Sequence, residues 1–233
     1  MSAGIGVVTG ASRGIGRAIA LAMCKAGYTV LGIGRDSAAL AQTGILATSA
    51  SGSFAPLAAD LRDPDVAARV MAAAGGRISA LIHAAGDLRA GEFRPEDAEL
   101  LAQVNYLAPA RLTAALLASL TEAQGDVVFI NSTQALGAKG GFGPYAASKA
   151  ALRAFADAFR EEAGPLGVRV TSIFPGSVAT RMQDKVAEAT GLARASSTLM
   201  QPDDIAEAVM AALLLPATAE LTEMVLRPRR RPG

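Results

Sequence analysis

The sequence predicts an α/β fold: a doubly wound parallel sheet of about seven strands with helices on both faces. Three observations carry this. Short apolar segments alternate with longer segments of helical period along the whole chain, and such alternation implies parallel strands joined by crossover helices. Hydrophobic residues make up 51% of the chain and charged residues 18%, enough to cover both faces of a buried sheet. A glycine-rich stretch, TGASRGIG at 9–16, falls between the first strand and the first helix.

The elements follow in order. GIGVVTG (4–10) reads as a buried strand, and IGRAIALAMCKAG (15–27) as a helix stopped by Gly27. YTVLGIG (28–34) is a second strand, and 36–42 opens a helix with Asp36 as its N-cap. GSFAPLAAD (52–60) reads as a third strand despite Pro56, which belongs at a sheet edge or outside a strand. Helix 63–75 starts with a proline in its first turn, and 78–86 gives a fourth strand. A continuous helix is expected over 95–120, a strand over 125–133 and a helix from Tyr145 to about Glu162. The remainder reads as strand 167–176, helix 202–215 and strand 221–228. With no linker, repeat or low-complexity block, the expectation is one domain over 1–233.

Composition excludes several functions. A net charge of +1, 4% aromatics and no Trp give neither a polyanion-binding face nor a base-stacking platform. Arg227 and Arg229–Arg231 read as a solvated tail rather than a nucleic-acid contact. The one cysteine, Cys24, cannot form an internal disulfide, and one histidine, His83, makes a zinc site a poor reading. No metal is expected. No apolar run reaches the ~18 residues of a membrane span, and the N-terminus lacks signal-peptide character. A cytoplasmic protein without membrane or nucleic-acid partners is the expectation.

In TGASRGIG, Gly10 can make a tight turn, while Gly14 and Gly16 let backbone approach a pyrophosphate at a helix N-terminus. Read alone, it is also an ordinary tight connection. The second strand ends in Gly34-Arg35-Asp36. An acid there meets a free ribose 2′-hydroxyl, whereas an arginine fork meets a 2′-phosphate. Arg35 and Arg13 together point to NADPH. Asp36 argues the other way, towards NADH, unless it serves as the helix cap.

Tyr145 and Lys149 stand four apart, on one helical face. Alone, such a pair is a surface pair. Ser132 lies thirteen residues before Tyr145, at a strand end. If the pair serves acid–base chemistry, tyrosine, with a free pKa near ~10, is a poor proton donor at neutral pH. Moving it to ~7 takes about 4 kcal/mol, which one cation ~4 Å away supplies at an effective dielectric near 20. Lys149 is expected to be that cation.

In these motifs the sequence resembles a short-chain dehydrogenase/reductase of the short, single-domain branch, with a Rossmann-type sheet. Thr9–Gly16 matches its cofactor turn, Asp60-Leu61 its adenine contact, HAAG (83–86) its NNAG, YAASK (145–149) its YxxxK and PGSVAT (175–180) its PGxxxT. The resemblance implies catalysis by Asn105, Ser132, Tyr145 and Lys149, with Asn105 anchoring a water beside the lysine. It implies cofactor contacts from Gly10, Ser12, Arg13, Gly14, Ile15, Gly16, Arg35, Asp60, Leu61, Ala84, Ala85, Gly86, Tyr145, Lys149, Pro175, Gly176, Val178 and Thr180. Residues 177–201 would form a substrate lid. Gln134, Leu136, Phe142 and Met182, with Asp87, would line the substrate wall. His83, where the family has asparagine, reads as a hydrogen-bonding strand-end residue. The C-terminus lacks the family's Asp-Gly-Gly ending. The implied protein is an NADPH-dependent reductase of a small-molecule carbonyl, reversible as an alcohol dehydrogenase, and a homodimer or homotetramer. A catalytically silent NADP(H)-sensing regulator is the alternative.

Overall fold

The computed structural model describes residues 3–191 and 198–229. Seven strands form one parallel sheet in the order β3-β2-β1-β4-β5-β6-β7. They are β1 (Ile5–Thr9), β2 (Thr29–Gly34), β3 (Ser53–Ala58), β4 (Ile78–His83), β5 (Asp126–Ile130), β6 (Arg169–Pro175) and β7 (Glu223–Leu226). The helices are α1 (Gly14–Lys25), α2 (Ser37–Ala47), α3 (Val66–Ala74), α4 (Pro95–Ala102), α5 (Ala108–Ala123), α6 (Gly143–Ala163), α7 (Arg181–Thr190) and α8 (Pro202–Leu213). The strand order reverses between β1 and β4. That is where a doubly wound sheet opens a crevice at the carboxyl ends of its strands.

Alternate strand residues feed two cores. Val8, Ile82, Val128 and Ile173 pack with α1 and α8 on one face. Val7, Leu81, Val127, Phe129 and Val170 pack with α3, α5 and α6 on the other. The strands are apolar on both sides because both sides are covered. Pro56 is tolerated because β3 is the sheet's edge, paired with β2 alone.

One expectation changes and two are filled in. The helix opened by Asp36 runs to Ala47, well past residue 42, because Leu40, Thr43 and Ala47 bury one side of it. The helix expected over 95–120 is two helices, α4 and α5, joined by a π-turn at Gln103–Leu107. A π-turn inserts one extra residue and rotates what it carries; the residue turned inward here is Asn105, fully buried. Part of the expected lid is helical, as α7, while its residues 192–197 lie outside the described residues, as do Arg230 and Arg231.

Candidate active site

The β1–α1 turn closes against the end of β4. Gly10 has φ +73, and a Cβ on it would come within 2.8 Å of Ala85 Cα. A Cβ on Gly16 would lie 2.3 Å from the Gly10 carbonyl oxygen, so the turn can be this tight only with glycine at both places. Gly14 faces Thr180 across the crevice, with 3.3 Å between Thr180 Cγ2 and the Cβ position of Gly14. Thr9 Oγ1 accepts from the Ala84 and Ala85 amides at 3.1 Å each, pinning β1 to the 84–86 segment. Ser12 is buried, Ile15 packs on the α1/α8 core, and Arg17, donating to the Ser12 carbonyl at 2.5 Å, holds the turn from behind.

The amide ends of α1, the glycine clearances and the approach of Thr180 make a cradle that fits a dinucleotide pyrophosphate. Around it stand Pro175, which ends β6, and Gly176, whose amide donates to the Leu226 carbonyl at 2.8 Å. Val178 bridges to Met200 and receives the Thr180 hydroxyl at 3.4 Å.

Charges at the end of β2 are arranged differently from the expectation. Asp36 caps α2, accepting from the Ala39 amide at 3.0 Å, and in addition forms an ion pair with Arg13. The Ala39 amide and Arg13 hold its carboxyl below the usual range. Arg35 is exposed and forms no ion pair among the described residues. Asp60 is gripped by Arg62, whose Nε and terminal nitrogen donate at 3.0 and 2.6 Å. That grip lowers the Asp60 carboxyl to about 2. Leu61 beside it packs on the α3/α5/α6 core.

At the β4 and β5 ends, four predicted residues meet. Tyr145, Lys149, Ser132 and Asn105 are all buried. Ser132 hydrogen-bonds the Tyr145 hydroxyl, and its Oγ also accepts from the Gln134 amide at 3.2 Å. Asn105 Nδ2 donates to Ser148 Oγ at 3.0 Å, and Ser148 donates on to the Tyr145 carbonyl at 2.8 Å. Asn105 also clasps the Asp87 backbone, accepting from its amide at 2.8 Å and donating to its carbonyl at 2.9 Å. The Cβ position of Gly86 lies 3.2 Å from Asn105 Oδ1 and 3.8 Å from Lys149 Nζ. A side chain there would intrude between the two.

The electrostatics correct one expectation. Burial raises the Tyr145 hydroxyl, and the influence that lowers it is Ser132's donated hydrogen bond, not the lysine. Lys149 Nζ instead donates to the Ile130 carbonyl at 2.8 Å, and burial lowers the ammonium to about 8. Desolvation of the phenolate outweighs the one hydrogen bond that favours it. His83 hydrogen-bonds Thr113 Oγ1 through Nε2 at 2.8 Å and stacks on Phe129 with ring centroids 5.0 Å apart. Burial, helped by Lys149, lowers it to about 3.

The expected substrate wall divides. Phe142 and Met182 pack with Leu88, Leu101 and Tyr145 in an apolar cluster, joined by Ala90 and Val186. Gln134 and Leu136 are not part of that cluster. They line a shallow groove of about 390 Å³ with Gly143 and the outer alanines of α6, because Gln134 Oε1 is engaged by the Lys139 amide at 3.0 Å. Arg62 and Ser148 carry no signal of their own in the sequence, and Lys185, expected as part of the lid, holds Asp87 at 3.2 Å. Only Ser148, inside YAASK, had a neighbouring signal there. Among the described residues, no group of three His, Cys, Asp or Glu could hold a metal, and no helix is long and apolar enough to cross a membrane.

A family model described as short chain dehydrogenase matches residues 5–191. An uncharacterised short-chain type dehydrogenase/reductase of Sinorhizobium fredii is 31% identical over 233 residues, covering 96% of this chain and 91% of that one. An alcohol dehydrogenase from the archaeon Thermococcus sibiricus, solved with 5-hydroxy-NADP, superposes with a TM-score of 0.86 at 26% identity over 98% of both chains. A metagenomic short-chain oxidoreductase solved with NADP gives 0.83 at 30% identity over 99% of both.

Proposed function

The chain belongs to the short-chain dehydrogenase family of oxidoreductases, and from that premise we propose that it is an NADPH-dependent ketoreductase acting through Ser132, Tyr145, Lys149 and Asn105. The observation that carries this is that those four side chains are all buried beside the glycine turn, with Ser132 bonded to Tyr145, Asn105 linked to the Tyr145 carbonyl through Ser148, and the Lys149 ammonium held on the Ile130 carbonyl. The two NADP-bound structures similar to this chain favour the same cofactor. Gly10, Ser12, Gly14, Ile15 and Gly16 would hold the pyrophosphate. Asp60 and Leu61 would meet the adenine, and Ala84–Gly86, Pro175, Gly176, Val178 and Thr180 the nicotinamide side. When bound, NADPH supplies the hydride.

The chain's own residues do the rest. Tyr145 gives its Oη proton to the carbonyl oxygen, and Ser132 donates a hydrogen bond to that oxygen and orients it. Lys149, lowered to about 8, gains and loses a proton near neutral pH and can replenish the tyrosine. Leu88, Phe142 and Met182 present an apolar wall, which suits a neutral ketone or secondary alcohol. Arg13 and Arg35 outnumber Asp36 at the 2′-position and favour a phosphate there. We place the assembly as a homodimer or homotetramer through α5 and α6, in a single domain and in the cytoplasm.

The test is Tyr145→Phe, which keeps the ring in its cluster and removes the acid. NADPH binding should persist while turnover of the best ketone falls by about 10²–10⁴-fold. Wild type should prefer NADPH over NADH, with Arg35→Ala narrowing the preference. A Tyr145→Phe protein within a few-fold of wild type would overturn the mechanism. A protein that binds NADPH tightly and turns over no ketone in a broad panel would favour the sensor reading.

A further inference from the structure

We propose that Asp87 is a positioning residue that latches α7 over Tyr145, tying closure of the substrate pocket to the peptide clasped by Asn105. The inference rests on the ketoreductase reading for what the pocket holds, though not for the latch itself.

Among residues 181–188 of α7, none is fully buried, so the helix is attached by a few side chains rather than by a packed face. Met182 and Val186 reach the apolar cluster that contains Tyr145. Between them in the sequence, Lys185 extends to Asp87 Oδ1 at 3.2 Å, across 98 residues of chain. The lysine is half exposed and the aspartate about one-fifth exposed. A pair of two mobile surface side chains contributes little, because both must be ordered.

Asp87 is not mobile. Its amide and carbonyl are both held by Asn105, and its own Oδ1 accepts from the Leu88 amide at 2.8 Å. Arg89 grips both carboxylate oxygens, Oδ1 at 3.2 Å and Oδ2 at 3.1 Å, and is steadied in turn by Asp97 at 3.5 Å. Only Lys185 remains to be ordered when the helix closes. The carboxylate sits two peptide units from Ala85, against which the glycine turn packs. One residue therefore joins the lid helix to the clasp at Asn105.

Two variants break the latch without touching the clasp. Lys185→Met keeps the aliphatic stem of an exposed residue, and Asp87→Asn keeps the backbone that Asn105 holds. Each should raise the ketone KM about threefold to fivefold, the range for one ordered ion pair, with kcat unchanged or raised because opening is easier. The double variant should do no more than either alone, and raising salt should erase the difference from wild type. Asp97→Asn, which removes one support of Arg89 but leaves Asp87 held by Asn105, Leu88 and Arg89 itself, should raise KM less than either. Hydrogen exchange of amides 181–188 should quicken in both single variants, and no further in the double. That readout needs no ketone turnover, so it tests the latch even where the ketoreductase reading fails. Unchanged exchange in Lys185→Met, or effects of the two substitutions that multiply, would overturn the proposal.

Discussion

At residue scale, His83 shows how a buried ring writes itself into the pH dependence of the fold. Its Nε2 is bonded to Thr113, its Nδ1 has no hydrogen-bond partner among the described residues, and the ring lies against Phe129. Protonation would place a charge in that environment beside Lys149. Burial accordingly lowers the imidazole from 6.5 to about 3. The sign follows: below pH 6.5 the unfolded chain binds a proton that the native chain refuses, so stability is full above 6.5 and falls as the pH drops towards 3. The slope approaches about 1.4 kcal/mol per pH unit, one proton's worth. Urea unfolding of wild type and His83→Asn between pH 7.5 and 4.5 checks this. The wild type should lose stability against the variant as the medium is acidified, and carboxylate contributions cancel in the comparison. Parallel curves would show that the ring titrates freely in the native protein.

At element scale, the β1–α1 turn is where sequence and packing agree most closely. Gly10→Ala should cost about 2–4 kcal/mol, combining a left-handed backbone with a Cβ forced against the Ala85 backbone. Gly75, also left-handed at φ +64, has nothing within 4 Å of its Cβ position. Gly75→Ala should cost only the conformational part, about 1–2 kcal/mol. Thermal or denaturant unfolding of the two variants separates strain from collision; equal losses would mean that the turn relaxes. The glycine turn, the strands and the Tyr145/Lys149 face were legible because each is a local pattern with one physical reason. The π-turn at 103–107 was not. Its residues have ordinary helical propensity, and the extra residue is accommodated because Asn105 finds Asp87 and Ser148, partners 18 and 43 positions away. The grips of Arg62 on Asp60, Arg13 on Asp36 and Lys185 on Asp87 were equally silent, since nothing local says which carboxylate a cation will meet until the fold places the two together. The Tyr145 shift was misjudged for a related reason. Spacing gave Lys149 as a neighbour, but only the fold supplies the Ile130 carbonyl that engages it.

At the scale of the whole molecule, α5 and α6 each present a run of small exposed side chains. On α6, Ala147, Ala150, Ala154 and Ala158 are exposed, opposite the buried Tyr145 and Lys149. On α5, Ala114, Ala115 and Ala118 are exposed as well. Small side chains let helices approach to about 8 Å, and an isologous two-fold contact buries the same face twice. The groove that takes Gln134 and Leu136 borders this face through Ala147 and Ala150, so a second copy would cover it and brace α6 from behind. Wild type at micromolar concentration should therefore scatter light as two or four copies of the 23.6 kDa chain. Ala154→Arg places a long cation in the middle of the stripe at a position that is already exposed, so the protomer should fold while the assembly dissociates. Its Tm should fall and lose the concentration dependence that mass action gives the wild type. NADPH affinity should change little, because the crevice lies on the other side of α6. A wild type that runs at 23.6 kDa throughout, or an Ala154→Arg protein that still assembles, would mean that these alanines face solvent for some reason other than a partner copy.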